Sequence, residues 1–99
     1  MQAVDNFILE RWRLLDATVV LAALAQHAKV DATYVPATSI LSTRWHANVG
    51  GQDFELLLTG PKFWDTRSAK GGGGAVDLVM HLERLSFKKA TARLAGLGL

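Results

Sequence analysis

Thr43-Arg44-Trp45-His46-Ala47-Asn48-Val49-Gly50-Gly51-Gln52-Asp53-Phe54-Glu55-Leu56-Leu57-Leu58 holds two patterned runs around a glycine pair. A glycine pair between such runs is a hairpin signal, because the turns that match strand twist need positive φ angles. A turn at Gly50-Gly51 sets Val49 opposite Gln52, Ala47 opposite Phe54 and Trp45 opposite Leu56. Side chains alternate across a strand, so Trp45, Ala47, Val49, Phe54, Leu56 and Leu58 share one face, the core face. Arg44, His46, Asn48, Asp53, Glu55 and Leu57 share the other, which is mostly solvated. A slip by one residue would exchange these sets, so the register decides which way the domain is built.

Working outward toward the C-terminus, Thr59-Gly60-Pro61-Lys62 is a second turn, and the chain returns as a strand over Phe63 to Thr66. A loop of Gly60-Pro61 alone pairs Leu58 with Phe63 and brings Trp64 beside Leu57 on the open face. Four glycines, Gly71 to Gly74, follow and open onto a helix from Ala75 to about Leu85, with Val76, Val79, Met80 and Leu82 inward. Ser86 caps a last helix with Phe87, Ala90, Leu94 and Leu97 inward, and Gly96 is a candidate residue for ending it.

Toward the N-terminus, residues 31–40 are rich in β-branched residues and broken by Pro36, which reads as an edge strand or an extended connection. Asp5 caps a helix to about Leu15 that carries Phe7, Ile8, Trp12 and Leu15 at near-helical spacing. Asp16 caps a second, with Val19, Val20, Ala23, Leu24 and His27 along one side and an end near Lys29; the two are separate helices or one bent helix. The fold class is therefore α+β, a single domain over 1–99. A helical part covers 1–30, an antiparallel meander 31–66, and the glycine loop with two helices 67–99.

The bulk properties agree with one small globular domain: 99 residues, 49% hydrophobic and 20% charged. With no cysteine, disulfides and thiolate metal sites are excluded. No apolar run approaches the ~18 residues of a membrane span, and Ala17 to Ala25 lacks the flanks of a signal peptide, so a cytoplasmic location without membrane contact is expected. Charge is unevenly spread. Residues 1–61 carry four cations and six carboxylates (net −2), and residues 62–99 carry seven and three (net +4). The basic half is where a polyanionic partner is sought, with a solvated basic surface as the plain alternative.

Four consecutive glycines are costly to order, so they imply either unusual backbone angles or a close approach to the backbone. They do not form a P-loop, since Ala75 and Val76 follow where Lys and Ser or Thr are needed. They do not form a dinucleotide fingerprint either, since Val76 stands where the third glycine belongs. A helix N-terminus can still hold one phosphate of a nucleic acid, or the glycines serve only to turn the strand tightly onto the helix. His27, His46 and His81 lack metal-ligand spacing and read as surface residues. No nucleophile, base or carboxylate pair comes together in the sequence, so no catalytic role and no cofactor are expected. Asp53 and Glu55 read as cross-strand partners of Arg44 or its neighbours. Trp12, Trp45 and Phe63 read as core, whereas Trp64, between Lys62 and Arg67, either stacks on an unpaired base or packs under the N-terminal helices.

The order Gly73-Gly74-Ala75-Val76-Asp77-Leu78-Val79-Met80, then Leu85-Ser86-Phe87-Lys88-Lys89-Ala90, then Arg93-Leu94-Ala95 resembles the zinc-binding domain at the N-terminus of bacterial DNA primases. It is most similar to the C-terminal half of that domain in phage, plasmid and integrative-element primases. The close fit covers about a third of the chain. The family holds zinc with three cysteines and a histidine. This chain has no cysteine, with Trp45-His46 near the first ligand pair and Trp64 to Ser68 near the second. A degenerate, zinc-ribbon-like primase domain without metal is what the resemblance implies. Zinc contributes on the order of 10 kcal/mol or more in small metal domains, so the added N-terminal helix is a candidate replacement.

The resemblance implies a non-catalytic role in primer synthesis or replication initiation, contacting single-stranded template beside a separate catalytic module. The expected contact surface is Lys62, Trp64, Arg67, Lys70 and the amides of Gly71, Gly72, Gly73 and Gly74, with Lys88 and Lys89 as auxiliaries. The competing expectation is a protein-docking module for a primase, polymerase or helicase, with Phe7, Ile8 and Trp12 as its adhesive surface.

Overall fold

The computed structural model describes residues 5–37 and 40–99. The elements are α1 (Asn6–Leu14), α2 (Ala17–Leu24), β1 (His27–Val30), β2 (Thr43–Val49), β3 (Gln52–Thr59), β4 (Lys62–Asp65), β5 (Lys70–Gly72), α3 (Ala75–Glu83) and α4 (Phe87–Gly96). The strands form one antiparallel sheet in the order β1-β2-β3-β4-β5. This is an α+β fold, and no described helix is long and apolar enough to cross a membrane.

The β2–β3 hairpin has the expected register, with Val49 opposite Gln52, Ala47 opposite Phe54 and Trp45 opposite Leu56. Gly50 and Gly51 take φ of 60° and 84°, the left-handed region that the short turn requires. Ala47, Val49, Phe54, Leu56, Leu58 and Phe63 are buried on one face. The helices cover that face with Trp12, Val20, Leu21, Leu24, Leu78, Val79, Leu82, Ala90 and Leu94, giving one continuous core. Trp45 is only partly buried, at the margin of this cluster.

Local capping sets the helix starts. Asp5 Oδ1 accepts the Ile8 N–H at 2.9 Å and Asp16 Oδ1 accepts the Thr18 N–H at 2.9 Å, so α1 and α2 are separate helices. The Ala17 N–H donates to the Gly60 carbonyl at 2.8 Å and ties α2 to the β3–β4 turn.

Four expectations are corrected. The second helix stops at Leu24, not near Lys29: Ala25 is extended, and His27–Val30 pair with β2 as an edge strand. Backbone pairing at an open sheet edge outweighs the weak helix propensity of so short a segment. Its buried side is Val20, Leu21 and Leu24, with Val19 exposed, so the helix is rotated from the expected face. Of the two alternatives for the segment after β1, residues 31–37 are a connection and not a strand, with a turn at residues 32 and 33 held by Asp31, whose carboxylate accepts the Thr33 N–H at 2.9 Å and its hydroxyl at 2.6 Å. The rest of that expectation includes residues 38 and 39, outside the described residues. In the C-terminal helices, Leu78 joins Val79 and Leu82 in the core, whereas Phe87 points outward. The last helix runs through Gly96, and the left-handed residue beyond it is Gly98 (φ 75°).

Candidate nucleic-acid interface

Strand β4 alternates as a half-buried strand must: Phe63 and Asp65 face the helices, and Trp64 stands on the open face with nearly half its surface exposed. Trp64 lies opposite Leu57 on one side and Gly71 on the other. A Cβ at Gly71 would come within 2.8 Å of Trp64 Cε3 and 2.6 Å of the Phe63 carbonyl oxygen. A Cβ at Gly72 would come within 2.7 Å of both the Phe63 ring and the Asp77 Cβ. Glycine is therefore needed here so that the indole can lie against β5 and the first turn of α3 can approach the sheet.

None of Gly71 to Gly74 has a positive φ. At Gly71 and Gly72 the reason is close approach, and the approaching groups belong to this chain. Gly71 and Gly72 are strand residues paired with Trp64 and Phe63, and the Gly73 N–H donates to Asp77 Oδ2 at 3.3 Å. Gly71 and Gly72 thus belong to β5, and Gly73 and Gly74 join it to α3.

Beyond β5 lies a groove of about 560 Å³ between the strand edge and α3. Trp64, Lys70 and Gly71 line it from the sheet, and Met80, His81 and Arg84 from the helix. Ala69 (φ 54°) and Arg84 (φ 55°) line it too, and they are the two non-glycine residues with positive φ among those described. Arg84 ends α3 in the left-handed position where glycine is usual. Such a conformation costs about 1–2 kcal/mol per residue. Concentrating that cost in one groove is a pattern associated with functional surfaces.

His81 corrects the expectation that all three histidines are surface residues. Its Nε2 lies 2.7 Å from Asp65 Oδ2 and its ring sits 5.3 Å from that of Phe63. Asp65 is buried, and its other oxygen accepts the N–H groups of Arg67 (3.0 Å) and Ser68 (3.3 Å). Burial alone pushes the Asp65 carboxyl up, but the hydrogen bonds from His81, Ser68 and Arg67 together outweigh it and hold the group below its ordinary value. One carboxylate thus ties α3 to the β4–β5 turn that carries Arg67 and Ala69 and leads into Lys70.

The expected site residues divide into groups. Trp64, Lys70 and Gly71 meet in the groove, and Lys62 lies two residues from Trp64 on the same strand face. The Arg67 guanidinium donates to the Asp53 carbonyl at 3.3 Å and is drawn toward the β2–β3 hairpin. Gly73 and Gly74 line a second hollow, of about 380 Å³, together with Arg13 and Phe87. Lys88 and Lys89 follow Phe87 on α4. Lys62, Lys70, Arg84, Lys88 and Lys89 make no ion pair with a described residue. Arg44, by contrast, is engaged by Asp31 at 2.5 Å and more loosely by Glu55 at 3.8 Å. Sequence reasoning missed Met80, His81 and Arg84. With Asp77 they recur at i, i+3, i+4 and i+7, a helical stripe legible in principle.

The zinc site of the primase resemblance does not fit this chain. There is no cysteine, and among the described residues no group of three or more His, Asp or Glu comes together that could hold a metal.

No protein-family model matches the chain. No solved structure matches it either. A stretch of 42 residues is 43% identical to a 65 kDa protein of Zymomonas mobilis subsp. mobilis, which is 42% of this chain but only 7% of that protein. The chain thus spans a small fraction of the relative it matches, whose name records a mass and no activity.

Proposed function

We propose that this domain is a non-catalytic module that binds single-stranded DNA, in the setting of primer synthesis or replication initiation that its primase-like sequence implies. The observation that carries the reading is Trp64: a large indole held against a glycine strand, partly open to solvent, with Lys70 and Arg84 in its groove and Lys62 on its strand face, none of them in an ion pair with a described residue. An aromatic face beside cations is how single strands are held without sequence readout, each stacked base contributing about 1–3 kcal/mol. The phosphates go to side chains rather than to the glycine amides, because the Asp77 carboxylate occupies the first turn of α3 and already takes the Gly73 N–H.

The test is fluorescence anisotropy with labelled single-stranded and duplex DNA at two salt concentrations. Wild type should prefer the single strand and weaken steeply with salt as counterions are released. Trp64→Ala and a Lys62/Lys70/Arg84 triple alanine variant should both lose affinity, the latter with a shallower salt slope. Absence of binding at low salt would remove this reading.

A second reading, docking to a primase, polymerase or helicase, is favoured by one observation. Phe7 and Leu14, seven residues apart on one stripe of α1, are 80% and 76% exposed. The stripe differs from the expected one, because Trp12 is in the core and Ile8 is half-covered.

A further inference from the structure

Phe87 is a second exposed aromatic followed by cations that make no ion pair with a described residue. It opens α4, is 52% exposed, and lines the hollow of about 380 Å³ together with Arg13 and the segment from Gly73 to Asp77. A phenylalanine that begins a helix after a Ser cap commonly turns inward, but here Ala90 and Leu94 fill the core beneath α4 and leave Phe87 outside. Lys88 and Lys89 follow it directly, both exposed and free of ion pairs with described residues. On the opposite wall, Arg13 is bound to Glu10 at 3.0 Å in a solvent-exposed pair that a phosphate can compete for.

The position of this hollow gives it meaning. Asp77 lines both it and the Trp64 groove, so the two adjoin at that residue. The Gly73-Gly74 segment between them carries no side chain that would block passage, and a Cβ at Gly73 would meet nothing within 4 Å. Two aromatic faces, each with its own cations, are therefore set along one continuous surface. The acidic Asp77 between them disfavours a phosphate there and directs the backbone of a bound strand to the cations on the flanks.

We infer that Phe87 is a second base-stacking platform, and that single-stranded DNA runs from the Trp64 groove across Gly73-Gly74 to the Phe87 hollow, with Lys88 and Lys89 taking phosphates at that end. This inference rests on the reading of Trp64 as the first platform and adds a path to it. A short strand of about four nucleotides and a long one of about sixteen bracket the site sizes of single-strand binders.

The experiment compares oligothymidylates of those two lengths against wild type, Trp64→Ala, Phe87→Ala and Phe87→Tyr, with thermal melting of each variant to verify folding. Phe87 is exposed, so its truncation should leave melting close to wild type. Wild type should bind the long oligonucleotide more tightly than the short one. Phe87→Ala should weaken the long one by about fivefold to a hundredfold, the range for loss of one stacked base, and narrow the gain from length. Phe87→Tyr should restore it. If wild type and Phe87→Ala bind the long strand equally while Trp64→Ala is weakened, the second platform is overturned and the first stands. If wild type binds neither length, the DNA reading itself has failed and this inference falls with it.

Discussion

Replacing Gly72 and Gly73 by alanine one at a time separates packing from chain entropy within two adjacent residues. The Cβ of Gly72→Ala would stand 2.7 Å from the Asp77 Cβ and 2.7 Å from the Phe63 ring, between a buried strand residue and the first turn of α3. Neither neighbour is a loose side-chain end, so the strand, the ring or the helix must shift. Overpacking of this kind costs about 1–3 kcal/mol. Gly73→Ala meets nothing within 4 Å and needs no positive φ, so its main effect is on the unfolded chain, worth about 0.4–1 kcal/mol in favour of folding. The two variants should differ by about 1.5 kcal/mol or more, which for a domain of this size means melting temperatures at least about 6 °C apart. Urea and thermal unfolding followed by far-ultraviolet circular dichroism measure this without relying on tryptophan emission. Equal stability of the two variants would refute the claim that the glycines are there for close packing. It would return the run to a role outside the fold.

Two further outcomes follow from the site geometry. Arg84→Gly should raise the melting temperature, because glycine takes the left-handed position without the cost of a Cβ, and should at the same time weaken binding to single-stranded DNA in an anisotropy titration. The Asp65 carboxyl is held below its ordinary value, so the folded chain binds fewer protons than the unfolded one in the acid range. Its contribution is full above an unfolded carboxyl value of about 4 and is lost as pH falls through the lower folded value. Asp65→Asn should therefore flatten the acid limb of stability, read as urea midpoints at pH steps from neutral downward.

The hairpin was legible because it is local. Gly50-Gly51 fixes the turn and with it Ala47 opposite Phe54 and Trp45 opposite Leu56, and the Gly60-Pro61 loop in the same way sets Leu58 opposite Phe63 and Trp64 beside Leu57. Strand β1 was hidden because Ala25 to Val30 continues an alanine-rich helical pattern and only the open edge of β2 reveals its partner. The glycine run signalled close approach without saying what approaches. That required knowing that Trp64 and Asp77 converge on it. The Asp65–His81 pair joins residues sixteen apart on a strand and a helix, a contact no local pattern encodes. Phe87 misled for a related reason, since an apolar residue after a helix cap reads as inward until Ala90 and Leu94 are seen to occupy that space.

Every strand in this sheet pairs only with its neighbours along the chain. Assembly therefore proceeds by closing short loops one after another, the arrangement associated with rapid folding. The β2–β3 hairpin zips on its own on a scale of roughly 1–10 μs, and β4, β5 and α3 are added in sequence from it. The contact of α1 with α3 closes a far longer stretch of chain than any strand pairing does. Trp12 is thus expected to reach the core late, so a probe at Trp12 should report a slower event than one in the hairpin.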